Sequence, residues 1–276
     1  MKLRKIVALE NEVGNQLEVY RDDFEITLYS YKIDFCQELV EEDILLVAAT
    51  DGTIALGKQL GIATMAYANP DIPNQSYSGV DMLVEGFEEI DADFLGKVYQ
   101  RYHRIPWTIL ETERCVVREL SLDDLDGLFE LYADEGMDDY TEPLYPYEEE
   151  KEFQRAYIEN MYRYFGYGMW LVFSKETGKI IGRAGLEHRE YNEETELELG
   201  YLIGRKYQGQ GYATEVCAAI LKYAEENTYF SRINTLVDVE NMQSIALTKK
   251  LGFVYEQDFE MNGRRMCRFI KNFNKE

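Results

Sequence analysis

Cysteine, histidine, proline and basic side chains are all scarce in this sequence, and each scarcity excludes something. The 276 residues include 4 cysteines, 2 histidines and 5 prolines. Cys36, Cys115, Cys217 and Cys267 stand far apart with no CxxC spacing, which leaves no redox pair; with so little histidine, no metal site is expected either. Scattered cysteines in a chain of this length fit a reducing, cytoplasmic setting. Lys and Arg number 29 against 52 Asp and Glu, a formal net charge of −23. Nucleic acids and anionic membranes both require basic surface, so neither is expected as a partner. No run of roughly 18 apolar residues is present to span a bilayer, and the apolar stretch after Met1 is too short for a signal peptide.

What the sequence does contain is material for a core and a broadly spread acidity. Apolar residues make up 46% of it, and its length suits nearly two domains. Residues 1–112 carry 9 basic and 20 acidic side chains, and the remainder carries 20 and 32. Such a field favours solubility and, beyond that, cationic ligands such as amines.

The pattern of apolar residues divides the chain at about residue 112. In residues 1–112, the run Ile44–Ala49 reads as a buried strand, followed by a helix from Thr53 to Leu60 that stops at Gly61. Short strands at Ile62–Ala68 and Met82–Val84 precede an acidic helix from about Asp91 to Tyr102. Strands alternating with helices imply a parallel sheet and a Rossmann-like α/β subdomain. Pro106 then breaks the pattern, and residues 104–112 read as a linker.

Residues 113–276 follow another rhythm. A strand at Cys115–Leu120 leads to a helix capped by Ser121, with Asp123 and Asp124 in its first turn. An acidic, Tyr-rich loop over 134–147 precedes a helix to about Tyr164. Three strands in quick succession, Met169–Ser174, Ile180–Arg189 and Glu196–Ile203, imply a mixed, mostly antiparallel sheet flanked by helices. A helix from Gly211, a strand at Ile233–Val239, a helix over Met242–Leu251 and two last strands around Asn262-Gly263 complete it.

The segment that carries chemistry runs from Glu198 to Val216. A strand enters a glycine-containing loop, Gln208-Gly209-Gln210-Gly211, and a helix opens with Tyr212-Ala213-Thr214. Glycines there let backbone N–H groups converge, and the helix amino terminus adds partial positive charge, which together make a pyrophosphate cradle. Arg205 and Lys206 stand beside it. No Gly-Lys-Ser/Thr follows, and there is no third glycine for GxGxxG, so the P-loop and dinucleotide patterns both fail. The pattern Gln/Arg-x-x-Gly-x-Gly/Ala is met by Gln208, Gly211 and Ala213, and it resembles the pyrophosphate loop of the GNAT superfamily of N-acetyltransferases. Asn241-Met-Gln-Ser244, followed by Lys250-Leu-Gly-Phe253, resembles the same family's next motif and its ribosomal-protein N-acetyltransferase branch.

This resemblance covers about residues 113–272 and implies a GNAT fold whose fourth and fifth strands splay to admit acetyl-CoA as co-substrate. It implies that backbone groups of Leu202 and Ile203 pair with the pantetheine arm and that Asn241 and Ser244 face it. Lys249 and Lys250 either reach CoA phosphates or form a solvated face. The implied reaction is direct attack by a primary amine, on a small molecule or a peptide N-terminus, in a ternary complex. Glu198 is the candidate general base, with Glu196 in reserve on the same face. Where many members have a tyrosine seven residues after the Asn, this chain has Thr248; Tyr201 and Tyr255 are the possible replacements, and Cys217 reads as core. Asp138, Asp139 and Glu142, with Tyr140 and Tyr145, form a candidate seat for a cationic amine.

Residues 43–95 resemble the late part of a haloacid-dehalogenase-like domain, through Asp51-Gly-Thr, Ala68-Asn69-Pro70 and Gly79-Val-Asp81. An early Asp-x-Asp is missing, so this unit reads as a non-catalytic remnant for regulation or assembly, and a phosphatase is set aside. The alternative to an N-acetyltransferase is a non-catalytic acyl-CoA-binding sensor. A homodimer is among the expected assemblies.

Overall fold

The computed structural model describes residues 2–30, 43–191 and 194–274, so Cys36 lies outside the described residues. The chain forms two compact units, Met1–Trp107 and Thr108–Glu276.

The first unit is built on five parallel strands: β1 (Lys5–Leu9), β2 (Glu25–Tyr29), β3 (Ile44–Ala48), β4 (Ala63–Tyr67) and β5 (Leu83–Val84), in the order β2-β1-β3-β4-β5. Strand alternation sends Ile6 and Ala8 into one core with Leu45, Leu95 and Tyr99, while Val7 and Leu9 join Leu46 and Ile54 in another. That is why β3 and β4 are buried without a break: both faces are covered. The helices Asp51–Leu60 and Ala92–Tyr102 are capped by Thr50 and Asp91, which accept hydrogen bonds from the N–H groups of Thr53 and Phe94. Neither β1 nor β2 was expected. β1 is only five residues long and is followed at once by acidic residues, among them Glu12, whose burial no local pattern announces. The Glu12 carboxylate accepts from the Ala49 and Thr50 N–H groups at 2.8 and 3.2 Å and from the Thr50 hydroxyl at 2.8 Å.

The second unit holds an eight-stranded sheet: β6 (Thr108–Glu111), β7 (Cys115–Arg118), β8 (Met169–Ser174), β9 (Ile180–Tyr191), β10 (Glu194–Ile203), β11 (Arg232–Asp238), β12 (Val254–Met261) and β13 (Arg264–Asn272). Their order is β12-β13-β11-β10-β9-β8-β7-β6. Only β10 and β11 run parallel; the other neighbours are antiparallel. The expected linker at 104–112 is therefore corrected: its last part is β6, paired with β7 through Thr108–Arg118 and Glu111–Val116. Pro106 breaks the preceding helix, but the chain re-enters regular structure two residues later.

Four helical segments cover this sheet. They are Leu125–Tyr132, Tyr147–Phe165, Tyr212–Asn227 and Met242–Lys250. Val216, Cys217, Ile220, Leu221 and Ala224 form the buried face of the third, at helical spacing. The second contains a π-helical turn at Ile158–Tyr162. In an α-helix, residues five apart point about 140° away from each other. The wider turn brings Tyr157 and Tyr162 to one side, where both meet Met169: Tyr157 Oη accepts from its N–H at 2.7 Å and Tyr162 donates to its carbonyl at 2.5 Å. Gly168 and Met169 thus cross close over β9, and a Cβ on Gly185 would lie 2.0 Å from the Gly168 carbonyl oxygen. Among the described residues, no helix is long and apolar enough to cross a membrane.

Candidate active site

The site begins where two strands part. β10 pairs with β9 along its whole length but meets β11 in register only at Leu197–Ile233 and Glu198–Asn234. Beyond Glu198 the strands diverge, leaving an opening with Glu198 at its apex. The Thr235 hydroxyl still reaches the Leu199 carbonyl at 2.9 Å, and the Ile203 carbonyl accepts from Gln208 Nε2 at 2.9 Å. On the other side, Gly204 N–H donates to Ile181 of β9 at 2.9 Å. Peptide groups alternate sides along a strand, so Leu199, Tyr201 and Ile203 present theirs to the opening. The peptide of Leu202 faces β9, which corrects its expected place beside the opening.

At the wide end of that opening lies the glycine loop. Gly209 and Gly211 have φ of +72° and +86°, a conformation that β-carbon-bearing residues avoid. Gly211 starts the helix Tyr212–Asn227, and no side chain caps that end. The N–H groups of Tyr212, Ala213 and Thr214 are therefore open helix-terminal donors, the condition an anion needs. Gln210 folds back to donate to the Lys206 carbonyl at 2.7 Å.

Arg114 supports the loop from beneath and has no counterpart in the sequence reading. It donates to the Gln210 carbonyl at 3.1 Å, pairs with Glu215 at 2.7 Å and lies 4.1 Å from the centre of the Tyr212 ring. These contacts join positions about a hundred residues apart, which no local pattern could announce.

The two cations expected to serve the phosphate loop are already engaged. Arg205 donates to Asp139 Oδ2 at 2.9 Å and to the Gly136 carbonyl at 2.7 Å, and Lys206 pairs with Asp134 at 3.1 Å. Arg264 donates to the Asp139 carbonyl at 2.9 Å, and the Tyr140 hydroxyl lies 3.5 Å from the Glu240 carbonyl. The segment Asp134–Thr141 is thereby tied to residues just beyond both β10 and β11. Asp139 is thus spent on a local ion pair, whereas Asp138, Glu142 and Tyr145 are exposed.

Asn241 caps the helix Met242–Lys250, its Oδ1 accepting from Ser244 N–H at 3.0 Å. Lys249 and Lys250 are exposed at the far end of that helix. Thr248 is buried, and the Tyr201 hydroxyl sits against Ser244 and Thr248; burial pushes that phenol up to about 12. Tyr255 is exposed and bonds Asp258 at 3.0 Å. Cys217 is fully buried, and burial raises its thiol well above the ordinary value.

Glu198 and Glu196 have different fates on one strand face. Glu196 is locked: Asn234 donates to it at 2.9 Å, Arg232 at 2.5 Å, and Arg268 closes on the same carboxylate. All three partners hold the Glu196 carboxylate in place within the sheet, away from any open position. The near cation of Glu198 is Arg189, whose Nε lies 2.9 Å away as an ion pair without hydrogen-bond alignment, with the Arg268 charge farther off. Burial pushes its carboxyl up to about 7, Arg189 opposes the rise and Glu187 adds to it. A carboxylate near neutrality at the apex of an opening is suited to general-base work.

Residues 114–254 match the acetyltransferase (GNAT) domain family. The chain belongs to the GNAT acetyltransferase family. Acetyl-CoA is the acetyl donor of this acetyltransferase, and an amine receives the group. The N-acetyltransferase p20 of Bacillus licheniformis is 30% identical over 157 residues, 55% of this chain and 86% of that protein. The ribosomal protein uS5-alanine N-acetyltransferase of Escherichia coli is 27% identical over 164 residues, covering 55% of this chain and 81% of that one. With the Bacillus subtilis protein YkkB, the chain is 31% identical over 93 residues and spans about half of that protein's length, 54%. A crystal structure of the ribosomal-protein-S5-alanine acetyltransferase of Vibrio fischeri shares the fold, with a TM-score of 0.53 over 60% of this chain and 96% of that one, at 19% identity.

Proposed function

We propose that the acetyltransferase acetylates a primary amine, on a peptide amino terminus or a small molecule, by direct attack with Glu198 as general base. The observation that carries this reading is the near-neutral Glu198 at the apex of the β10–β11 opening. In this reading the open N–H groups after Gly211 hold the CoA pyrophosphate, with Gln208 to Thr214 forming the cradle. The peptides of Tyr201 and Ile203 pair with the pantetheine arm as an added strand would. Asn241 and Ser244 line the opposite side. Bound acetyl-CoA supplies the thioester carbonyl. The ammonium proton passes to Glu198, directly or through water, the amine nitrogen forms the C–N bond as the C–S bond breaks, and the nitrogen's second proton goes to the departing thiolate, so that CoA leaves as the thiol. A gap-facing N–H of β10 polarises the carbonyl.

The likeness to a ribosomal-protein alanine N-acetyltransferase supports a peptide amino terminus as acceptor. Thiol release from acetyl-CoA, measured over peptides of varied first residue, polyamines and aminoglycosides, tests the reading. Turnover on a subset of amines is expected. Acetyl-CoA binding without turnover on any of them would favour the sensor reading, whose own support is the buried Thr248 in place of a tyrosine. The free, buried Cys115 and Cys217 support a reducing, cytoplasmic setting.

For the amino-terminal unit we infer a Rossmann-like, non-catalytic role. The family match stops short of it, and its resemblance to haloacid dehalogenases has sequence cues alone behind it. Asp51 supports the non-catalytic reading, since its carboxylate already accepts from the Tyr77 N–H at 2.8 Å and the Ser76 N–H at 3.0 Å.

A further inference from the structure

Glu187 sits directly across β9–β10 from Glu198, and antiparallel partners project from the same face. Two carboxylates are thereby side by side with Arg189 as the near cation: its Nε is 2.9 Å from Glu198 and its NH2 is 3.9 Å from Glu187. Arg268 and Arg183 also bear on the pair, from β13 and β9, and the Tyr157 hydroxyl reaches Glu187 Oε1 at 3.5 Å. Glu187 is half-exposed whereas Glu198 is almost covered, and Glu198 Oε2 is buried without a hydrogen-bond donor. Behind Tyr157 runs a row of rings: Phe153 lies 6.1 Å from it, and Tyr145 lies 5.6 Å from Phe153. Phe153 and Tyr145 are exposed.

We propose that Glu187 seats the acceptor's ammonium beside Glu198, and that the row Tyr157–Phe153–Tyr145 carries an apolar body attached to it. The inference rests on Glu198 being the base of the proposed reaction and adds the acceptor's class: a cationic primary amine on an apolar or aromatic stem. It places the cation seat elsewhere than the expected Asp138, Asp139 and Glu142, of which Asp139 is held by Arg205. The division of labour is physical. The accessible carboxylate meets the arriving ammonium, and the covered one takes the proton.

The test compares wild type with Glu187→Gln, in the full chain with CoA bound. Phenylethylamine binding is followed by calorimetry, and acetyl transfer by thiol release. We expect about tenfold weaker binding of phenylethylamine and a KM raised to match, as for loss of a partly buried charge pair. Neutral phenylethanol should bind the two proteins equally. The acid limb of kcat/KM should also move to lower pH, because Glu198 no longer faces a like charge. Equal phenylethylamine affinity and an unmoved limb, in a variant that melts like wild type, overturn the proposal. Phe153→Ala should weaken phenylethylamine and spare ethylamine; an equal loss for both overturns the apolar stem. If wild type binds phenylethylamine through Glu187 yet releases no thiol with any amine, the seat is supported and the transfer reading fails.

Discussion

Replacing Glu198 with glutamine should make the protein more stable in alkali and much less active, from a single physical cause. Burial raises this carboxyl from the ordinary 4.5 to about 7. At ~1.4 kcal/mol per unit, keeping the ionised form in place costs about 3 kcal/mol of folding stability. The folded value lies above the unfolded one, so the stabilisation is complete below pH 4.5 and is lost as pH rises to about 7. Glutamine has the same shape and never ionises. The variant should match wild type near pH 4 and exceed it by up to about 3 kcal/mol above pH 8, a rise in Tm of several degrees for a domain of this size. Activity should move the other way. In wild type, kcat/KM should climb tenfold per pH unit to a plateau above about 7, while the variant should lose about 10²–10⁴-fold in kcat and its acid limb with it. Thermal unfolding followed by circular dichroism from pH 4 to 9, paired with thiol release, reads both effects. A variant no more stable than wild type at pH 8.5, or one that keeps full turnover with the same limb, would refute the reasoning.

Further outcomes follow from other contacts. Gly211→Ala places a β-carbon at a φ of +86°, a strain of about 1–2 kcal/mol at the helix start, and should weaken CoA binding about tenfold by calorimetry. Gly185→Ala drives a Cβ to 2.0 Å from the Gly168 carbonyl oxygen; neither backbone yields easily, and a loss of about 3 kcal/mol is expected in denaturant titration. Arg205→Ala removes its two bonds to Gly136 and Asp139 and leaves Arg264 on the Asp139 carbonyl, so limited proteolysis should cut within residues 134–142 faster than in wild type. Cys217→Ser should keep turnover, and the wild-type Cys217 thiol, buried and shifted upward, should resist a disulfide reagent until the chain unfolds.

Much of the second unit was legible because its signals are local. Helical spacing from Val216 to Ala224 and the Gly209–Gly211 loop are each set by residues within a few turns of one another. The same locality explains the errors. β1 is no shorter than β3, but Lys5 at its start and Glu10 just after it interrupt its apolar run, and β6 follows a proline that reads as a boundary but needed only β7 to become a strand. Leu202 was misplaced by a single residue, and in a strand one residue is the difference between two sides.

By itself the sequence determined the alternation of elements, the glycine loop and the carboxylate-bearing strand, since each depends on backbone preferences and short-range spacing. The tertiary structure decided what those carboxylates are. Glu196 and Glu198 are near-neighbours on one strand face, yet one is locked among Arg232, Asn234 and Arg268 while the other is buried beside Arg189 and Glu187. Proton affinity depends on which charges and how much water surround a group, and those surroundings come from β9, β11 and β13, strands whose register the sequence around Glu198 does not encode.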